Sequence, residues 1–298
     1  MSYPYLSDVV MAWTGVELPL PLATFGLFVA LGALVAADRL RSELKRLYAA
    51  QRIGPARMRG ADVPPQDVVT DLMVVVLMAG ILGARLFHIL EHTDQFMADP
   101  LSMIFTRSGL SIFGGLIFGT LAGSVCVRRW RLPVRPLLDA AAPAMMIGYA
   151  IGRIGCQVSG DGDWGIAANM ALKPAWLPTW LWAQTYEHNI YGEVLALPGV
   201  YPTPIYETLM ALLCFFILWA IRKHPFRAGW LFSVYLILAG VERLLIEQIR
   251  VNPVFNVLGL HATQAEFIAV ALIVAGAIGT VLLGQRLPLQ GAALADAK

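Results

Sequence analysis

Residues 72–90 read LMVVVLMAGILGARLFHIL, nineteen residues in which Arg85 carries the only formal charge. This length is close to the roughly 20 apolar residues that a helix needs to cross a bilayer. A charged side chain at bilayer depth is costly, so an intramembrane arginine usually faces a partner, a cavity or a ligand. The stretch therefore predicts a transmembrane helix whose arginine has a specific role.

Six further apolar segments of similar length accompany this one. The chain is 58% hydrophobic and only 14% charged, a balance typical of polytopic membrane proteins. We predict an all-α fold and a single transmembrane domain over residues 1–298 with about seven membrane-spanning helices. The predicted spans are Leu18–Ala37, Leu72–Leu90, Gly109–Val127, Leu137–Gly155, Thr203–Ile221, Ala228–Glu247 and Thr263–Leu283.

The basic residues are distributed unevenly between the two sets of connecting segments. Sixteen Lys/Arg residues lie in segments 38–71, 128–136 and 222–227 and in the C-terminal tail, whereas the alternate segments hold three, namely Arg107, Lys173 and Arg250. By the positive-inside rule, the N-terminus is expected outside and the C-terminus in the cytoplasm. The first 17 residues lack a basic region, so the first apolar segment is expected to be a retained anchor.

Three arginines lie in otherwise apolar segments: Arg85, Arg153 and Arg243. The predicted topology places all three in the outer third of the membrane. Three guanidinium groups at one depth indicate a site for an anion, and the commonest anion there is a phospholipid headgroup. The alternative is that each arginine extends to its nearest interface without forming a site.

Acidic and aromatic residues are predicted at the same depth as the arginines. Glu247 follows Arg243 by one helical turn, and Tyr206 and Glu207 begin the fifth span. The two glutamates either pair with the arginines or act as acid and base, and the sequence leaves both roles open. His88 shares a helix face with Arg85.

The outer segment 156–202 is long and rich in glycine, tryptophan, tyrosine and proline. Long loops are often functional, so we expect this segment to cap the site from outside. Glycine-rich backbone at a helix end, as in residues 152–165, can approach a phosphate closely.

We expect Asp139, at the inner end of the fourth span, to stabilise a helix start rather than act in catalysis.

Several motifs together resemble those of one enzyme family, the prolipoprotein diacylglyceryl transferases. The resemblance covers nearly the whole chain. It is carried by Phe25-Gly26-Leu27, Gly83-Ala84-Arg85-Leu86-Phe87, Ser111 to Ile117, Leu138 to Gly165, Tyr201 to Glu207, Arg243-x3-Glu247-x2-Arg250 and Thr263-Gln264.

The resemblance implies a bacterial inner-membrane enzyme whose active site faces outwards. Its expected reaction transfers a diacylglyceryl group from phosphatidylglycerol to the lipobox cysteine of a prolipoprotein signal peptide. Arg153, Arg243 and Glu247 are the expected catalytic residues, with the arginines stabilising the departing phosphate and Glu247 as the base. The residues expected to bind substrate are Arg85, Gly114, Gly115, Gly165, Tyr206, Glu207 and Arg250.

The chain also departs from the family pattern. Phe113, Cys156 and Phe25 stand where the family has histidine, asparagine and tyrosine, and residues 159–163 read Ser-Gly-Asp-Gly-Asp where the family has Asn-Gly-Glu. Phenylalanine cannot exchange a proton, so Glu207, His88 and Asp161 are further candidates for the base. Loss of the histidine leaves two alternatives open, a transferase with a different acceptor and a non-catalytic lipid-binding protein. Cys156 is either a nucleophile or, as we prefer, a small packing residue.

No cofactor is expected from the sequence. It shows no nucleotide-binding loop and no spacing of residues that we interpret as a metal cluster. Nothing in its charge distribution indicates nucleic acid as a partner.

Overall fold

The computed structural model of the chain describes residues 2–16, 22–105, 111–257 and 260–285. Most of these residues are helical. The described residues form ten α-helices: α1 (Leu6–Thr14), α2 (Thr24–Ala49), α3 (Val69–Glu91), α4 (Thr93–Ala98), α5 (Pro100–Phe105), α6 (Ile112–Arg129), α7 (Val134–Ser159), α8 (Thr203–Ile221), α9 (Trp230–Glu247) and α10 (Gln264–Leu283).

Two short antiparallel hairpins, which the all-helical prediction omitted, lie between the helices. Strands β1 (Ala56–Met58) and β2 (Ala61–Val63) follow α2, with Arg57 opposite Asp62. Strands β3 (Val254–Val257) and β4 (Leu260–Thr263) connect α9 to α10. The hairpins are too short to change the fold class.

Each of the seven predicted apolar segments overlaps a long helix. Among the described residues, five helical segments are long and apolar enough to cross a membrane: Pro65–Glu91, Ile112–Arg129, Val134–Ser159, Thr203–Ile221 and Gln264–Leu283. Helices α2 and α9 fall outside this group because they carry more charge. In α9, for example, three of the 18 residues are Glu242, Arg243 and Glu247. The predicted span starts Leu18 and Gly109, and the basic residue Arg107, lie outside the described residues.

The chain divides into two compact units, Met1–Asp38 with Leu138–Lys298, and Arg39–Leu137. In the first unit, small residues let α7 approach α8 and α9. Ala142 and Ala150 of α7 are fully buried and belong to one apolar cluster with Leu218 of α8 and Leu231 of α9. This packing fixes the three helices that carry the buried charges described below.

Asp139 caps a helix other than its own. We expected it to stabilise the start of the fourth span, but α7 already begins at Val134. Its carboxylate instead accepts hydrogen bonds from the backbone N–H groups of Gly229 (2.7 Å) and Phe232 (2.9 Å) at the start of α9. A carboxylate in this position satisfies N–H groups that have no partner within the helix.

In the second unit, glycines hold α3 and α6 in close contact. A Cβ atom added to Gly114 would lie 2.1 Å from the carbonyl oxygen of Gly83, and one added to Gly115 would lie 3.5 Å from that of Gly80. Gly119 faces Val76 of α3 in the same way. The glycines repeated every four residues in α6 therefore pack against α3, as small residues do at helix interfaces in lipid.

This interface predicts that Gly114→Ala destabilises the protein. The added methyl group meets backbone, which cannot move aside as a side chain can, so we expect a loss of about 1–3 kcal/mol in the free energy of unfolding. Unfolding by SDS titration in mixed micelles measures it. Gly26→Ala is the control, since its Cβ atom would meet nothing within 4 Å among the described residues. Equal stability of the two variants would contradict the assignment.

Candidate active site

Glu207, in the first turns of α8, is the centre of a buried charge cluster. Its side chain is fully buried, with 0% exposure. Three arginines surround its carboxylate. The nitrogen–oxygen distances are 3.2 Å to Arg153 Nε, 3.6 Å to Arg250 Nη1 and 3.8 Å to Arg243 Nη1. One carboxylate thus connects α8 to α7, to α9 and to the segment that follows α9.

Asp163 is a second carboxylate that joins two of these arginines. It lies in the glycine-rich loop after α7, where it pairs with Arg153 through one oxygen and with Arg250 through the other. Burial alone would raise the pKa of Asp163, but Arg153 and Arg250 hold that pKa below its ordinary value. The loop carboxylate is therefore ionised at neutral pH and ties the loop to the cluster.

Helix α9 contains an ion pair of its own. Arg243 Nη2 lies 2.8 Å from Glu247 Oε2, one helical turn away. The other oxygen of Glu247 accepts a 2.7 Å hydrogen bond from the side-chain amide of Asn252. The neighbouring Glu242 is 5% exposed, and its Oε1 has no hydrogen-bond partner among the described residues.

Two side chains of α7 complete the surroundings of Arg153. The Tyr149 hydroxyl donates a 3.2 Å hydrogen bond to Glu207, and the Arg153 guanidinium lies 5.0 Å from the centre of the Tyr149 ring. Arg153 also donates to the Cys156 sulfur at 3.7 Å. Cys156 is buried, as we expect of a packing residue.

The ion-paired groups of the cluster are balanced in charge. The arginines Arg153, Arg243 and Arg250 face the carboxylates of Asp163, Glu207 and Glu247. Both predicted glutamates are thus ion-pair partners of arginines. The site is consequently not an open cationic patch, but a set of guanidinium groups whose orientation is fixed by carboxylates.

The outer segment reaches the cluster because glycine permits close backbone contact. A Cβ atom on Gly165 would lie 2.5 Å from the Ile249 carbonyl oxygen, so only glycine fits there. The next residue, Ile166, donates its N–H to the same carbonyl. Tyr206 holds the segment from α8 through a 2.6 Å hydrogen bond to the Leu181 carbonyl. Gly165 and Tyr206 therefore position the segment that supplies Asp163.

The remaining predicted residues lie in the second unit. Arg85 is half-buried in α3 and donates a 3.2 Å hydrogen bond to the Met103 carbonyl. Gly114 and Gly115 form the contact between α3 and α6 described above. His88, a candidate base, lies near the C-terminal end of α3 beside His92, with ring centres 4.5 Å apart.

Sequence reasoning missed three members of the cluster. Asp163 was visible only as part of a glycine-rich loop, and nothing in that loop distinguishes it from Asp161. Tyr149 precedes Arg153 by one helical turn, and this spacing could have identified it. Asn252 lies beyond the end of α9, where the path of the chain is not set by helical periodicity.

Comparison with known proteins assigns the chain to a family. A family model described as prolipoprotein diacylglyceryl transferase matches residues 14–282. The chain belongs to the prolipoprotein diacylglyceryl transferase family. The expectation drawn from the sequence motifs is thereby confirmed.

Relatives from several bacteria align over most of the chain. A protein of Leptospira interrogans is 31% identical over 255 residues, covering 77% of this chain and 72% of the relative. One from Shouchella clausii is 32% identical over 212 residues (71% and 73%), and one from Corynebacterium glutamicum is 30% identical over 278 residues (87% and 78%). All three are named phosphatidylglycerol–prolipoprotein diacylglyceryl transferase.

The central role of Glu207 predicts that Glu207→Gln is strongly destabilising. Removing its charge leaves three buried arginines without their common partner, which we expect to cost about 3–5 kcal/mol of unfolding free energy. SDS titration of the purified protein measures this loss. Glu193→Gln removes the same charge from an exposed site and serves as the control. A loss no larger than that of the control would contradict the assignment.

Two aspartates of the same loop are predicted to respond oppositely to neutralisation. The folded-state pKa of Asp163 is depressed, so its stabilisation is present above the ordinary carboxyl pKa and is lost as pH falls through the depressed value. Burial raises the pKa of Asp161, so its charge costs stability at neutral pH. At pH 7, Asp163→Asn should therefore lose about 1–3 kcal/mol, whereas Asp161→Asn should gain stability.

Thermal unfolding of both variants between pH 3 and pH 7 checks this pair. The difference between wild type and Asp163→Asn should shrink towards acid pH as Asp163 becomes protonated. Effects of the same sign for both variants at pH 7 would refute the prediction.

Proposed function

We propose that this chain is a phosphatidylglycerol–prolipoprotein diacylglyceryl transferase of the bacterial inner membrane. The observation that carries the proposal is the family match over residues 14–282, which includes the arginine cluster. Relatives with this name align at about 30% identity over most of the chain. The acceptor is accordingly the lipobox cysteine of a prolipoprotein, and the donor is phosphatidylglycerol.

The proposed reaction is a displacement at a glycerol carbon. The thiolate of the acceptor cysteine attacks the carbon that carries the phosphate ester, and a carbon–sulfur bond forms. The carbon–oxygen bond breaks, and its electron pair leaves with glycerol phosphate. The thiol proton passes to a base. The enzyme must therefore stabilise negative charge on the departing phosphate and accept one proton.

Arg243 and Arg153 are the proposed ligands of the phosphate. Arg243 has the more exposed side chain of the two, 28% against 15%, so it is better placed to meet a lipid headgroup. Each guanidinium has five N–H donors, more than its carboxylate partners occupy. Carboxylates that fix these donors beforehand remove the cost of orienting them during the reaction.

Glu247 is the proposed base. Its carboxylate contacts Arg243, one of the proposed phosphate ligands, and Asn252, so it lies beside the place where the departing phosphate would bind. A carboxylate has about four lone-pair sites, so two contacts leave room for the thiol proton. Glu207 is less suitable, since three arginines surround it.

The membrane arrangement belongs to the same proposal. We propose seven spans, with the N-terminus outside and the C-terminus in the cytoplasm. In this arrangement the segments that hold sixteen of the basic residues face the cytoplasm, as the positive-inside rule requires. The cluster of Glu207 then faces the outer side, and segment 156–202 caps it through Asp163 and Gly165. Arg250 would complete the lipid site in the first unit. Arg85, Gly114 and Gly115 remain proposed substrate-binding residues of the second unit.

A direct assay uses the purified protein with phosphatidylglycerol and a synthetic lipobox peptide. We predict release of glycerol phosphate that requires the peptide cysteine and fails with a cysteine-to-serine peptide. Arg153→Ala should abolish release, because the departing charge loses a fixed partner; an oxyanion donor is worth roughly 10²–10³ in rate. Arg57→Ala, at an exposed position of β1, is the control.

Glu247→Gln tests the base separately from the phosphate ligands. It should lower turnover while phosphatidylglycerol binding is retained, and unchanged turnover would exclude Glu247 as the base.

Phe113 at the histidine position of the family pattern favours a second candidate function, transfer to a different acceptor. Tight binding of phosphatidylglycerol without release on the lipobox peptide would support that candidate, or a purely lipid-binding role.

A further inference from the structure

A group of three potential metal ligands lies at the C-terminal end of α3, in the second unit. His88, Glu91 and His92 each offer one ligand atom, and these atoms lie within 4.8 Å of one another. His88 is half-buried, and the other two side chains are exposed. The proposed lipid chemistry does not use Glu91 or His92.

The spacing of the three residues suits the binding of one shared metal ion. His88 lies four residues before His92, the C-cap residue of α3, and Glu91 is the last residue of that helix. Two histidines four residues apart on a helix hold zinc in metalloproteases. Ligand atoms bound tetrahedrally at about 2.0–2.1 Å from Zn²⁺ lie roughly 3.4 Å apart, so small side-chain rotations close the observed site.

The tautomer of His92 is fixed in the form that binding requires. Its Nδ1 lies 3.1 Å from the backbone carbonyl oxygen of His88, which can only accept a hydrogen bond. In a neutral ring with this hydrogen bond, Nδ1 carries the proton and Nε2 offers its lone pair. Metal-binding histidines usually donate their second ring N–H in this way.

Glu91 has a comparable supporting contact. The Ser111 hydroxyl, which is nearly buried, donates a 2.9 Å hydrogen bond to Glu91 Oε1. Ser111 is itself held against α3 by its backbone N–H, which donates to the Ala84 carbonyl at 3.0 Å. Ser111 is the residue that immediately precedes α6. The orientation of the Glu91 carboxylate is thus set by a group outside α3.

We propose that His88, Glu91 and His92 form a binding site for a divalent transition-metal ion, with Zn²⁺ as the best match to two imidazoles and one carboxylate. Three protein ligands leave a coordination position for water. The proposal differs from our expectation of no metal cluster, and it does not depend on the lipid reaction.

The first test is a zinc titration of full-length protein with any affinity tag removed. After treatment with EDTA, the protein is titrated with Zn²⁺ in competition with a chromophoric chelator. We expect one Zn²⁺ per chain for wild type and none for the double variant His88→Ala/His92→Ala. The matched control is His188→Ala/His261→Ala, which removes two other histidines and should retain the ion. No binding by wild type, or unchanged binding by the first double variant, would overturn the proposal.

A second test examines Glu91 without removing a histidine. Ser111→Ala should weaken zinc binding about 10–100-fold, the usual effect of losing a contact that orients a metal ligand. Ser111→Thr keeps the hydroxyl and should restore the affinity. Equal affinities for all three proteins would exclude Glu91 as an oriented ligand.

The absorption spectrum of bound Co²⁺ independently reports the coordination geometry of the metal, and an octahedral spectrum identical to that of aqueous Co²⁺ would contradict the site.

Discussion

The pairing of buried Glu207 with Arg153, Arg243 and Arg250 is the interaction on which the rest of the site depends. A lone charge at this depth would be very costly, and so would each arginine without its partner. Because the partners lie on α7, on α9 and beyond α9, the charges are satisfied only when these elements are assembled with α8. Apolar packing brings the helices together, and the charge cluster selects the register in which they meet.

The same constraint explains the loop after α7. Asp163 supplies a second carboxylate to Arg153 and Arg250, so the loop must approach the helix ends closely. Gly165 permits that approach, since any side chain there would collide with the Ile249 carbonyl. A residue of the outer segment is therefore a structural part of the arginine cluster. Substrate entering the site would have to be accommodated between groups that are already paired.

The sequence predicted the helices well and the contacts between them only in part. The bounds of α8 agree with the predicted span, Thr203–Ile221, because an apolar run of that length leaves little choice. Glu207, Arg243 and Glu247 could be assigned from motifs and helical spacing. The partners that lie in irregular segments, Asp163 and Asn252, could not, since no periodicity specifies where loop residues return. His92 escaped notice because the predicted span ended at Leu90, before the helical turn that joins it to His88.

We infer that arginines held by Glu207 receive the phosphate of the lipid. A crystal structure grown in a lipidic phase that contains phosphatidylglycerol tests this inference most directly. We expect a headgroup phosphate with oxygens about 2.7–3.2 Å from the guanidinium nitrogens of Arg243, with Arg153 adjacent. A headgroup bound elsewhere, with the ion pairs of Arg153 and Arg243 intact and unapproached, would contradict it.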